Sequence, residues 1–144
     1  MKSMRKATKT VIAGAAAAAA VVGLSGTASA NDVTALYQGD TLYVGDSVDG
    51  YGASGQTYQL TMQSDGNLVE YRWDNGSRRA CWATNTMGST ANRAVYQPDG
   101  NFVVYTPGNF APWSSHTVGD QGSTININSH GALWVGYTQI FGGC

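Results

Sequence analysis

The feature that most restricts the fold is a nine-residue phrase written twice, Gln63-Ser-Asp65-Gly-Asn67-Leu-Val69-Glu-Tyr71 and Gln97-Pro-Asp99-Gly-Asn101-Phe-Val103-Val-Tyr105. The copies begin thirty-four residues apart, and each is followed by a tryptophan segment, Ala80-Cys-Trp82-Ala-Thr-Asn-Thr86 and Ala111-Pro-Trp113-Ser-Ser-His-Thr117. Thirty-one residues beyond Gln97 lies a decayed third copy, Asn128-Ser-His130-Gly-Ala132-Leu-Trp134-Val-Gly136. It keeps the central glycine and an apolar residue beyond it, and none of the five shared side chains. A fixed period in the thirties implies like units stacked around a common core.

The units read as β-structure. Tyr58 to Gln63 and Asn67 to Tyr71 are short, rich in Val, Tyr and Leu, and joined by Ser-Asp-Gly; the same holds for Ala94 to Gln97 and Asn101 to Tyr105. Asp-Gly between alternating apolar residues is a strong hairpin signal. Gly, Asn, Asp and Ser punctuate the rest, and no helical stretch is predicted after residue 30. Period-two alternation puts Asn67, Val69 and Tyr71 on one face and Leu68 on the other, with Gln63 and Asp65 brought alongside by the turn. A second cluster of Gln97, Asp99, Asn101, Val103 and Tyr105 follows, with Phe102 and Val104 turned to the core.

Residues 1–30 are a separate matter. Lys2, Arg5, Lys6 and Lys9 precede an apolar run from Val11 to Leu24 that ends in Ala28-Ser-Ala30. The run is short for a spanning helix and its end suits a processing peptidase, which predicts a secretory signal peptide cut after Ala30 and one domain over 31–144. That domain has four arginines, no lysine and nine acids, a net charge of −5. Nucleic acid and membrane insertion are therefore not expected, since neither a basic patch nor an apolar span is present. Cys81 and Cys144 are the two cysteines, and in an oxidising compartment a bridge between them is the simplest arrangement; an intermolecular bridge or two free thiols are the alternatives.

The repeated side chains point to a neutral polyol. Sugar hydroxyls donate and accept, so a site needs a carboxylate, amides that do both, and a hydroxyl at the rim. Asp65 and Asp99 are the discriminating groups, because hydrogen bonds to a charged partner are the stronger ones. Trp82 and Trp113 hold matching places in the repeat and read as core, whereas Trp73 and Trp134 break the pattern and read as surface residues. Arg78 and Arg79 read as a solvated loop. His116 and His130 form no ligand spacing with the cysteines, so no metal or other cofactor is expected.

Gln-x-Asp-x-Asn-x-Val-x-Tyr followed by Trp-Ala-Thr-Asn-Thr resembles the bulb-type, or monocot mannose-binding, lectin family. Leu36-Tyr-Gln-Gly-Asp-Thr-Leu42 with Gly45 resembles the opening of that domain. The resemblance implies an all-β fold, a β-prism of three four-stranded antiparallel subdomains about a pseudo-threefold axis, with central tryptophans and no metal. It implies mannose or mannose-containing glycans as ligands: Asp65 and Asn67 on the 2-hydroxyl, Gln63 on the 3-hydroxyl, Tyr71 on the 4-hydroxyl and Val69 against the ring. Asp99, Asn101, Gln97, Tyr105 and Val103 repeat those roles, and the third cluster is expected to be dead for mannose. Relatives exchange C-terminal strands to form dimers; here the chain ends eight residues after Gly136, so Cys144 serves as a local staple and a homodimer stays open.

Two other classes rank below a secreted lectin. A lectin-like toxin would bind envelope sugars, but resembles tandem domains where this chain has one. A glycosidase would need paired carboxylates. Glu70 has the wrong parity to join the cluster, and Asp65 and Asp99 belong to different repeats.

Overall fold

The computed structural model describes residues 32–144; the predicted signal peptide lies outside the described residues. Thirteen strands run in chain order: β1 (Asp32–Val33), β2 (Leu36–Tyr37), β3 (Thr41–Tyr43), β4 (Ser47–Tyr51), β5 (Thr57–Met62), β6 (Leu68–Asp74), β7 (Ser77–Ala83), β8 (Arg93–Tyr96), β9 (Phe102–Tyr105), β10 (Trp113–Ser114), β11 (Thr124–Ile127), β12 (Leu133–Val135) and β13 (Thr138–Phe141). They form three sheets, ordered β1-β4-β5-β6-β7, β3-β8-β9-β10 and β2-β11-β12-β13. Each repeat supplies three consecutive strands of one sheet. The first sheet carries a fifth, two-residue strand, β1, which pairs in parallel with β4, so it exceeds the expected four.

The fourth antiparallel strand of each sheet comes from one short segment that visits all three in turn. β2 pairs with β11 in the third sheet, β3 with β8 in the second, and β4 with β5 in the first. A six-residue repeat drives this threading, Leu36-Tyr-Gln-Gly-Asp40 followed by Leu42-Tyr-Val-Gly-Asp46. In the second copy the Tyr43 N–H donates to Asp46 Oδ2 at 2.9 Å while the Asp46 N–H donates to the Tyr43 carbonyl at 2.9 Å; Tyr37 and Asp40 make the same pair of bonds at the same lengths. Each turn swings the chain to the next sheet and drops one apolar residue into the middle: Leu36, Leu42 and Val48 are all buried. Burying a side chain of this size contributes about 1.5–3 kcal/mol. Burial pushes the Asp46 carboxyl up to about 6, against the opposing effect of the Tyr43 N–H.

The core they enter is lined by Tyr58, Leu60, Met62, Leu68, Tyr96, Phe102, Val104, Ile125, Leu133 and Val135. Trp82 and Trp113 pack against it and meet edge to face at 5.5 Å, as their matching places in the repeat predict. The β6–β7 hairpin is longer than its counterparts. It turns on Asn75 and Gly76 with φ of 50° and 80°, the paired positive φ of a tight hairpin turn. Arg78 and Arg79 therefore lie within β7 and not in a solvated loop. Arg79 Nη2 and Arg72 Nη1 donate to the Cys144 carbonyl at 3.0 and 2.8 Å, and Cys81 is disulfide-bonded to Cys144 across a sequence separation of 63. These contacts fasten Cys144 to the first sheet, while β13 pairs with β12.

One core position breaks the symmetry. Glu70, opposite Leu60 and Trp82, is 0% exposed, and neither carboxyl oxygen has a hydrogen-bond partner. Val104 and Val135 hold the equivalent places in the other repeats. Burial pushes the Glu70 carboxyl up to about 8. The folded chain then keeps a proton that the unfolded chain has released, so stability falls as pH rises from the ordinary glutamate value to about 8. Glu70→Val is expected to raise the melting temperature by at least about 3 °C at a pH of about 8.5, with a smaller gain at about pH 4.5. Calorimetric scans at both pH values check this; equal shifts would contradict it. Cys144→Ser is expected to cost about 2–4 kcal/mol in urea unfolding, and the unreduced protein should show a monomeric mass with no free thiol.

Candidate functional site

The two phrases fold into the same object. In each, the backbone N–H of the first residue donates to the carbonyl four residues on, Gln63 to Asn67 and Gln97 to Asn101, both at 2.9 Å. The aspartate folds back over its own turn: Asp65 Oδ1 accepts the Asn67 N–H and Asp99 Oδ1 the Asn101 N–H, both at 2.9 Å, which are Asx-turn bonds. Gly66 and Gly100 between them have φ of 91° and 94°, and a Cβ on Gly100 would stand 2.9 Å from the Thr117 carbonyl. Only glycine combines that backbone with that approach.

Side chains then close a network. The Tyr105 hydroxyl donates to Gln97 Oε1 at 2.7 Å, and Gln97 Nε2 donates to Asp99 Oδ2 at 3.4 Å. In the amide orientation that satisfies both neighbours, Gln63 accepts the Tyr71 hydroxyl and donates to Asp65 Oδ1 and Oδ2 at 3.2 and 3.3 Å. Val69 and Val103 floor the clusters, 4% and 3% exposed, while Asp65 and Asp99 stand at the surface. All ten predicted residues are thus brought together, five and five, on two different sheets.

The tryptophan segments contribute residues that sequence reading passed over. Thr86 N–H and Thr84 Oγ1 both donate to Asn67 Oδ1 at 3.2 Å, and the Thr86 hydroxyl donates to the Gly66 carbonyl at 2.6 Å. Thr117 N–H and Ser115 Oγ serve Asn101 Oδ1 at 3.1 and 3.3 Å, and Thr117 Oγ1 the Gly100 carbonyl at 2.6 Å. Asn85 and His116, between these hydroxyl residues, share a left-handed backbone with φ of 58° and 56°, which accounts for the histidine without a metal. The repeated Thr/Ser-x-Thr was the available signal.

The consequence is chemical. Each asparagine has its oxygen fully used, so its Nδ2 is left to donate outward. Each tyrosine spends its proton on glutamine, so its oxygen is left to accept. Each aspartate keeps lone pairs beyond those used in the turn. Together they offer a charged acceptor, an amide donor and a phenolic acceptor around a small apolar floor, which suits adjacent hydroxyls on a ring.

The third hairpin keeps the backbone and loses the chemistry. Asn128 N–H donates to the Ala132 carbonyl and Gly131 N–H to the Asn128 carbonyl, both at 3.0 Å, as in the first two copies. Asn128 Oδ1 accepts the His130 and Ala132 N–H groups at 2.9 and 3.0 Å, so it satisfies the turn from the glutamine position. Trp134 and Gly136 replace the valine and tyrosine. Among the described residues, no group of three or more His, Cys, Asp or Glu side chains is placed to hold a metal ion.

Thr117→Val is expected to destabilise the fold by about 1–3 kcal/mol, because the buried Gly100 carbonyl loses its donor. Side-chain amide resonances of Asn101 should move in NMR spectra while those of Asn67 stay in place.

No family model matches the chain. The mannose-specific lectin of Galanthus nivalis is 41% identical over 75 residues, covering 51% of this chain and 42% of that protein, so the chain spans about half the length of that curated relative. Among solved structures, the snowdrop (Galanthus nivalis) mannose-specific agglutinin complexed with methyl-α-D-mannoside superposes with a TM-score of 0.60 at 32% identity, covering 76% of this chain and 94% of that one. The native mannose-specific bulb lectin of Scilla campanulata gives a TM-score of 0.60 at 28% identity, covering 76% and 96%. Three sheets from three repeats, matched over 94% of the solved snowdrop chain at 32% identity, place this chain in the bulb-type lectin family.

Proposed function

We propose that the chain is a mannose-binding lectin with two working sugar sites, one on the first sheet and one on the second. The observation that carries this reading is the twofold occurrence of one hydrogen-bonded cluster with the same groups left unpaired. Asp65 and Asn67 grip one hydroxyl, Gln63 and Tyr71 its neighbours, and Val69 packs on the ring; Asp99, Asn101, Gln97, Tyr105 and Val103 do the same. The third hairpin takes no mannose, since Trp134 fills the valine position and no carboxylate is present.

The protein binds without turnover in this reading. Glu70, the carboxyl on the same strand as Val69 and Tyr71, is sealed in the core, and Asp65 and Asp99 stand on separate sheets. The residue pattern of 1–30 supports export, and a net acidic domain without lysine supports glycans over nucleic acid as partners. A monosaccharide in an open site binds at about millimolar strength, roughly 4 kcal/mol, so two sites on one chain favour multivalent targets.

Asp65→Ala and Asp99→Ala should each halve the stoichiometry of methyl α-mannoside in calorimetric titration, and the double variant should not bind. Undiminished binding by the double variant overturns the assignment. Incubation with mannan should release no reducing ends.

A further inference from the structure

The first sheet runs one outward row beyond the second, whose last row is Tyr43, Arg93 and Tyr105 with the Arg93 guanidinium 5.2 Å from the Tyr105 ring centre. Cross-strand register places Asp49, Gln59 and Tyr71 in one row and Tyr51, Thr57, Trp73 and Arg78 in the next. Tyr71 and Trp73 are two residues apart on one strand, so their side chains leave the same face about 7 Å from each other, close to the length of one pyranose. Beside Tyr71 lies a groove of about 400 Å³ lined by Asp49, Tyr51, Thr57, Tyr58, Gln59 and Trp73.

The long β6–β7 hairpin makes this surface. Eleven positions separate Tyr71 from Trp82, against eight between Tyr105 and Trp113, where Pro107 stands two residues past the strand end at Tyr105. Arg78 stands with its guanidinium 4.1 Å from the Tyr71 ring centre and 5.5 Å from that of Trp73. No hydrogen bond or ion pair to another described residue occupies its five N–H donors. In the second sheet the comparable arginine is spent: Arg93 donates to the Thr106 carbonyl at 2.8 Å and to Asn109 Oδ1 at 2.6 Å, closing a loop.

Trp73 is 36% exposed and Tyr51 60% exposed. Aromatic faces, a carboxylate with an amide, and an oriented guanidinium are the complement of a pyranose: its C–H face stacks and its hydroxyls find both acceptors and donors. We propose that this groove is a second subsite of the first cluster, taking the neutral hexose joined to a mannose held by Asp65, Asn67 and Tyr71. The first sheet then reads a disaccharide where the second reads a single sugar. This inference rests on the mannose reading of the first cluster.

The test uses single-site proteins. In Asp99→Ala, which retains the first cluster, at least one α-linked mannobiose should bind about five- to tenfold more tightly than methyl α-mannoside. In Asp65→Ala, which retains the second, the gain should be absent. Adding Trp73→Ala, or separately Tyr51→Ala, to Asp99→Ala should abolish the gain while methyl α-mannoside affinity stays within about twofold. Mannoside binding to both single-site proteins with equal disaccharide gains, or a gain that survives both aromatic substitutions, overturns the subsite alone. Loss of all mannoside binding in both proteins overturns the mannose reading with it.

Discussion

Everything else in this fold depends on one segment being threaded through three sheets. A three-stranded sheet from each repeat has an apolar inner face and an unpaired edge, and none could stand alone in water. Residues 36–51 supply the missing strand to the third, second and first sheets in succession, and Leu36, Leu42 and Val48 fill the shared centre. The chain end works to the same purpose from the other side, with Cys144 held to Cys81 covalently and to Arg72 and Arg79 by hydrogen bonds.

On that frame the hairpin is a scaffold that can carry binding chemistry or drop it. All three copies close with the same backbone bonds, yet only two carry the Asp, Asn, Gln and Tyr that leave groups open to a ligand. In the third, an asparagine satisfies the turn by itself. The turn and the outward-facing groups therefore draw on different atoms of the same nine residues. The threonines behind each cluster link the two demands, because they fasten the glycine carbonyl and fix which way the asparagine amide faces.

Departures from symmetry concentrate in the first sheet. Glu70 sits unpaired among apolar side chains where the other repeats place valine, a local cost that the well-packed surroundings withstand. The longer β6–β7 hairpin projects Trp73 and Arg78 beyond the cluster and also reaches the chain end. Repeats that share one core are free to differ outside it, the first by a longer hairpin and the third by the loss of its cluster side chains.

Much of this was legible in order. The phrases ending at Tyr71 and Tyr105 gave the hairpins, the alternation of Leu68 and Phe102 against the polar residues gave the faces, and the missing side chains at 128–136 marked the third copy. The Leu-Tyr-x-Gly-Asp repeat at 36–46 was equally visible, but that each copy joins a different sheet was not, since strand partners far apart in sequence leave no local trace. Nor could sequence show Arg78 lying over Tyr71 or Arg79 holding Cys144, because an exposed hairpin and a solvated loop share one composition. What the sequence by itself determined is the repeat, its strands and the chemistry of two clusters, for these follow from periodicity and turn preference within a dozen residues. Only the tertiary structure decided which edges meet, which hydroxyls orient each asparagine and which side chains line the groove beside the first cluster, because these depend on side chains brought together from separate strands.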